Sequence, residues 1–257
     1  FADHLRFDMG HAPARIGMSG SIPKKDTDPF KRNKIFSIIG GGVLVKVRQR
    51  TLIERNISAE LSIKMVETLH PEIEDVFDSM ADSYDWSVED SYNLNNRDRI
   101  TTIAEYIKKN HAEDPVNTLI LCHNGLGTIL SEYLGCGLIV DETPSKERDE
   151  LFNLFDTTDG HMFCATFGTS GTGISSNRIF RMYMIDVGKN ETYIMQGIGR
   201  GLRLDGVIDK VEVIDVSSNN KYAKKHRTVR KRIYRREHFP FTEKPEKIMV
   251  IDGISDS

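Results

Sequence analysis

No apolar run in this 257-residue chain approaches the roughly 18 residues that a membrane-crossing helix needs, which excludes a spanning helix. The opening residues Phe1-Ala2-Asp3-His4 show no charged-then-apolar leader and no initiator methionine, so the chain reads as a piece of something longer. Cysteine is scarce. Cys122, Cys136 and Cys164 form an odd, widely spaced set without a C-x-x-C pair, which argues against a disulfide framework and against a zinc site. They read as buried thiols, with a reactive thiol as the alternative, and a reducing cytoplasm suits them. Internal repeats and low-complexity tracts are absent. So are a G-x-x-x-x-G-K-[ST] phosphate loop and any cofactor fingerprint, which excludes a Walker-type cradle within these residues.

What is present is an ordinary globular balance, 39% hydrophobic and 28% charged, at a length that allows one large domain or two smaller ones. The net charge of −3 hides a lopsided distribution. Nine basic residues and no acid lie between Lys221 and Arg236, leaving 26 basic residues against 38 acidic elsewhere. An acidic body with one dense basic segment suggests a local polyanion contact, with a solvated helix face as the plain alternative. Within that segment Tyr222, His226, Val229 and Ile233 make a narrow apolar stripe that could dock on the domain, with the cations turned outward.

Residues 1–56 are polar and rich in Gly and Pro, with only short apolar runs, and are too poor in apolar residues to enclose a core alone. From Ile57 the pattern becomes regular. Ala59, Leu61, Ile63 and Met65 alternate as in a half-buried strand, and Asp78 to Asn96 reads as a loop with one short helix. Thr118–Cys122, Leu138–Val140, Met162–Phe167, Met182–Val187 and Val211–Val216 read as strands alternating with helices. Ser145 is a plausible helix cap. That alternation implies an α/β fold with a parallel sheet covered on both faces.

Three stretches could carry chemistry. Asp141-Glu142 ends an apolar run like a metal-binding acid pair, but it lacks the phosphate loop such a pair serves, and a turn into a helix is the better reading. Ala165 to Ser175 is a Gly/Ser/Thr stretch just after a strand, where parallel sheets bind ligands and where backbone N–H groups and hydroxyls can satisfy phosphate oxygens. In Gln196 to Arg203, a helix would place Gln196, Arg200 and Arg203 on one face, a fork suited to phosphate. Three glycines in those eight residues cost a helix up to about 1 kcal/mol each. Something must therefore come close to its backbone.

In this order these stretches resemble the C-terminal part of the superfamily 2 helicases, from about residue 15 to about residue 240. Gly17-Met18-Ser19-Gly20-Ser21 resembles motif III, Leu119 to Asn124 motif IV, Thr166 to Ser175 motif V, and Gln196 to Arg203 motif VI, Q-x-x-G-R-x-x-R. Ser175 departs from the aspartate of many relatives, and motifs I and II do not occur. The resemblance implies a RecA-like sheet over 57–257, preceded by a remnant of a first RecA-like domain over 1–56. It implies ATP and Mg²⁺ held mainly by a missing N-terminal part, so this chain should be inactive alone. It assigns Arg203 as arginine finger, Arg200 as a second phosphate contact, Gln196 to orient the attacking water or phosphate, and Gly173 and Ser175 to ATP. Ser19, Gly20 and Ser21 would couple the domains. His123, Asn124, Thr166 and Thr169, with Arg230, Arg232 and Arg235 of the basic segment, would hold nucleic acid. The activity implied is ATP-dependent DNA unwinding or branch remodelling in recombination and repair, in a phage setting within a host cytoplasm, with RNA not excluded and no membrane partner. The alternative is a nucleic-acid-binding α/β module without ATP turnover.

Overall fold

In the computed structural model of the chain, the described residues are 29–39, 49–55, 58–79, 85–172, 176, 178–202, 210–251 and 253. They belong to two compact units, Phe1–Arg48 and Gln49–Ser257. In the first, the described residues form helix α1 (Pro29–Ile39), which opens on proline, whose fixed φ suits a first helical position. Ser19, Gly20 and Ser21 lie outside the described residues.

The second unit begins with a short helix, α2 (Gln49–Glu54), and strand β1 (Glu60–Leu69), followed by helices α3 (Pro71–Ser79), α4 (Trp86–Asn95) and α5 (Arg97–Glu113). Then come β2 (Thr118–Cys122), α6 (Asn124–Leu134), β3 (Gly137–Ile139), α7 (Ser145–Thr157), β4 (Met162–Thr166) and α8 (Phe167–Thr172). The unit closes with β5 (Arg181–Ile185), α9 (Glu191–Gly201), β6 (Lys210–Ser218), α10 (Lys221–Glu237) and β7 (Glu246–Met249). The seven strands form one parallel sheet in the order β3-β4-β2-β5-β6-β1-β7.

Strand alternation divides the core into two layers. Leu119 and Leu121 of β2 join Met182, Met184, Val211 and Val213 beneath Phe152 and Phe155 of α7, Ile194 and Ile198 of α9, and Ile233 of α10. Ile120 and Cys122 point the other way, with Tyr183, Ile185, Ile214 and Val216, against Ile100, Ile103 and Ile107 of α5 and Leu126 and Leu130 of α6. The expected helices on both faces are therefore present. Because both faces of β2 and β5 are covered, every residue of those strands is buried, as the apolar runs Leu119–Cys122 and Met182–Ile185 imply.

Three helix starts, those of α4, α5 and α9, are fixed by side chains. Asp85 accepts from Ser87 N at 2.8 Å, Asn96 from Arg99 N at 2.8 Å, and Asn190 from Thr192 N at 3.0 Å. The α6 helix ends on Gly135 in the left-handed region, φ 63°.

Local readings change at Ser145 and after β4. Ser145 is the first residue of α7 rather than its cap. Pro144 precedes it, and the Thr143 hydroxyl instead accepts from Val140 N at 2.9 Å. The Gly/Ser/Thr stretch after β4 starts as a helical turn, α8, rather than a loop. Asp141 receives the Thr169 hydroxyl at 2.9 Å, and no group of three or more His, Cys, Asp or Glu able to hold a metal occurs among the described residues.

Candidate nucleotide and nucleic-acid interface

Helix α9 explains two of its glycines directly. Ile194, Gly197, Ile198 and Gly201 form its buried face. A Cβ at Gly197 would lie 3.1 Å from Leu121 Cδ1, and one at Gly201 would lie 3.1 Å from Val211 Cγ1. The sheet is what approaches the backbone there. Gly199 differs: a Cβ at that position would meet nothing within 4 Å, and the residue is exposed. At 100° per residue it shares the outward face with Gln196, which is half-buried, and with the backbone position of Arg200. Arg203, Gly173 and Ser175 lie outside the described residues.

The sheet order reverses between β2 and β5. β2 leads through α6 toward β3 on one side, and β5 leads through α9 to β6 on the other, which opens a crevice at the strands' carboxyl ends. His123 follows β2 and is exposed, as is Asn124. The His123 Nε2 donates across the crevice to the Asp186 carbonyl at 3.3 Å, and its ring meets Phe167 edge-on at 5.5 Å.

Asp186, just after β5, has φ 51°, a left-handed conformation that costs a non-glycine residue about 1 kcal/mol or more. Strand alternation would carry residue 186 toward the α9 layer. The left-handed turn instead delivers its carboxylate to the α5 layer, where Arg99 donates Nη1 and Nη2 to it at 2.9 and 3.0 Å. The Arg99 Nε donates to Thr68 Oγ1 at 2.9 Å. From the opposite layer, Arg230 Nη1 donates to the Gly188 carbonyl at 2.8 Å, and Gly188 itself has φ 68°. Two fully buried arginines, one from each helical layer, thus clamp the turn that launches α9.

This fixes the reading of the basic segment. Arg230 is not an outward phosphate ligand: it is buried in a bidentate pair with Asp215 of β6. Tyr234 donates its hydroxyl to the same carboxylate at 2.8 Å, and burial together with Asp215 pushes its phenol well above the ordinary value, so it remains a donor. Arg227 pairs with Glu67 at 2.7 Å, Arg236 with Glu191 at 2.7 Å, and Lys231 and Arg235 both approach Glu243. Five of the nine cations therefore hold α10 to its surroundings. Lys221, Lys224, Lys225 and Arg232 are exposed. The docking face is Ala223, Arg230, Ile233, Tyr234 and Glu237, while the expected Tyr222 and His226 are only half-buried. Burying an arginine in place of an alkyl residue hides the true stripe from hydrophobic spacing.

Thr169 is likewise committed. It is buried, its hydroxyl donates to Asp141 Oδ1 at 2.9 Å, and the Thr166 hydroxyl lies 2.7 Å behind it, so the pair caps and ties α8 rather than facing outward together.

Beside the crevice lies a cavity of about 500 Å³ between α4, the β5–α9 turn, the end of β6 and the first turns of α10. Trp86, Tyr193, Asn93 and Ser217 contribute to its wall. Glu89 of α4 is buried there and accepts from the backbone N–H groups of Tyr222 and Ala223, placing a carboxylate at the positive end of α10. Burial pushes the nearby Asp90 carboxyl above its ordinary value, with Asp186 and Glu89 adding to the effect and His123 and His226 opposing it. Sequence reasoning missed this cavity and the Asp186 turn. One signal was available: Asp215 is a lone acid between Ile214 and Val216 in an apolar run, which demands a buried partner.

Among solved structures, T4 UvsW superposes with a TM-score of 0.59 at 15% identity, covering 85% of this chain and 45% of that chain. The C-terminal part of the Fun30 ATPase domain matches with a TM-score of 0.43 at 15% identity, covering 49% of this chain and 44% of that one. The chain thus spans less than half the length of either structure. The likeness to T4 UvsW is one of fold: a seven-stranded parallel sheet with helices on both faces, RecA-like in architecture. No protein-family model matches the sequence, and no curated protein sequence does.

Proposed function

We propose that this chain is the second RecA-like lobe of an ATP-dependent superfamily 2 translocase acting on DNA in unwinding or branch remodelling. The observation that supports this most is the outward face of α9. There Gln196, a bare Gly199 and the Arg200 position follow one another, while Gly197 and Gly201 are used up by the sheet. A triphosphate needs close backbone approach and fixed positive charge, and that face suits both.

When bound, ATP with its Mg²⁺ supplies the free energy of hydrolysis. The chain's own residues position and neutralise: Arg203 and Arg200 offset charge on the phosphates, and Gln196 orients the reacting group, since phosphoryl transfer asks little covalent chemistry of the protein. Gly173 and Ser175 would lie against the same ligand. Because the sequence holds no phosphate cradle, a second lobe must bring one, with Ser19, Gly20 and Ser21 coupling the two. Nucleic acid would run over the carboxyl edge, past His123 and Asn124 and the exposed Lys221, Lys224, Lys225 and Arg232, through contacts that fix position without reading sequence. Among the described residues no helix is long and apolar enough to cross a membrane.

The test is ATP hydrolysis, with and without single-stranded or forked DNA, by the product of the whole reading frame that contains this chain. DNA-stimulated turnover supports the motor. Strand binding without turnover leaves the binding module.

A further inference from the structure

We infer that the cavity between α4 and the carboxyl ends of β2, β5 and β6 receives one unpaired nucleobase of a bound strand, an inference that rests on the nucleic-acid reading above. The size fits: about 500 Å³ lies within the roughly 300–1,000 Å³ of small-ligand pockets. Its mouth is aromatic. Trp86 is 50% exposed at the start of α4, and Tyr193 is 40% exposed, its ring held parallel to Phe167 at 6.3 Å. Such rings are stacking platforms for any base.

The inner wall is polar and incompletely paired. Asn93 Oδ1 and Ser217 Oγ lack a hydrogen-bond partner, although these side chains are only 7% and 2% exposed as residues. A buried polar group left unpaired costs about 1–3 kcal/mol, and the donor and acceptor edge of a base is a fitting partner.

The charge pattern favours a base over a phosphate. Arg230 is committed to Asp215, and Glu89 to the start of α10. The exposed cations stand outside: Lys189 at the rim, and Lys221 and Lys225 beside Tyr222, the latter ammonium 5.0 Å from its ring centroid. Phosphates would follow the lysines while the base turns inward. A cation site is disfavoured too, since no cluster of three ligands exists among the described residues.

Trp86 is the only tryptophan of the chain, so its fluorescence reports on this mouth alone. The full chain is titrated with labelled oligodeoxyadenylate and oligoriboadenylate of about 12 nucleotides, and with a matched abasic phosphodiester, within the usual site size. The expected result is quenching of Trp86 by base-bearing strands only, and binding roughly 5- to 150-fold tighter than to the abasic strand. The deoxy and ribo arms decide which strand is preferred. Trp86→Ala and Tyr193→Ala should abolish the difference without weakening abasic binding, Trp86→Phe should restore most of it, and unchanged thermal midpoints confirm folding. Equal binding of base-bearing and abasic strands with no quenching overturns the base pocket while leaving strand binding intact. Failure of both strands to bind overturns the nucleic-acid reading as well.

Discussion

Arg230 donates through Nε and Nη2 to the two carboxylate oxygens of Asp215, 2.7 Å each, at a point where neither side chain reaches solvent. The pair ties the basic helix to the centre of β6, and through the Gly188 carbonyl it also reaches the turn before α9. Removing one partner leaves a buried charge alone. Arg230→Met should therefore lower the unfolding free energy by about 3–5 kcal/mol, and Asp215→Leu with Arg230→Met should recover most of it. Arg232→Ala, at an exposed position, should stay within about 0.5 kcal/mol. Urea titration of the three variants reads this out.

The glycines of α9 should separate stability from function. Gly199→Ala meets open space and adds helix propensity, so it should stabilise the chain by up to about 1 kcal/mol. Gly197→Ala forces a Cβ to 3.1 Å from Leu121 Cδ1 and should destabilise it by about 1–3 kcal/mol. If Gly199 serves a ligand, its alanine variant is the more stable protein and the poorer ATPase.

Burial, with Lys189 and Arg230 nearby, holds His226 below its ordinary 6.5, against the opposing pull of Glu89 and Asp90. A histidine so depressed binds fewer protons folded than unfolded, so stability rises with pH through this window and is lost as pH falls below 6.5. His226→Gln should flatten the unfolding free energy between about pH 7 and pH 5. Asp90 acts with the opposite sign lower down. Its raised carboxyl pKa makes the folded state bind more protons just above the ordinary 3.8, so its penalty appears as pH rises through that range, and Asp90→Asn should remove it.

Salt dependence should divide the basic helix. Each single-strand phosphate contact contributes about 0.7 to the slope of log affinity against log salt. Lys225→Ala or Arg232→Ala should lower the slope by about that amount each. Arg235→Ala should leave it unchanged, because Arg235 is already engaged at 2.8 Å by both oxygens of Glu243.

The architecture was readable because its signals are local and periodic. The runs Thr118–Cys122 and Val211–Val216 each predict a strand, and their alternation with helices predicts a parallel sheet. Candidate site residues are legible in the sequence only where a motif is contiguous. Gln196 and Arg200 share a helix face by arithmetic alone, whereas His123 meets Asp186 across 63 residues and Glu89 caps a helix 133 residues away. The basic segment misled because sequence shows charge but not pairing: Glu67, Glu191, Asp215 and Glu243, distant or overlooked, engage five of its nine cations.

The most direct measurement compares DNA-stimulated ATP turnover of the whole reading-frame product with that of its Arg203→Ala variant, both checked for equal thermal midpoints. An arginine finger at that position predicts a fall of roughly 10³–10⁵ in turnover with strand binding retained. Turnover within a few-fold of the parent would contradict the account, because the arginine at position 203 would then have no phosphate to serve.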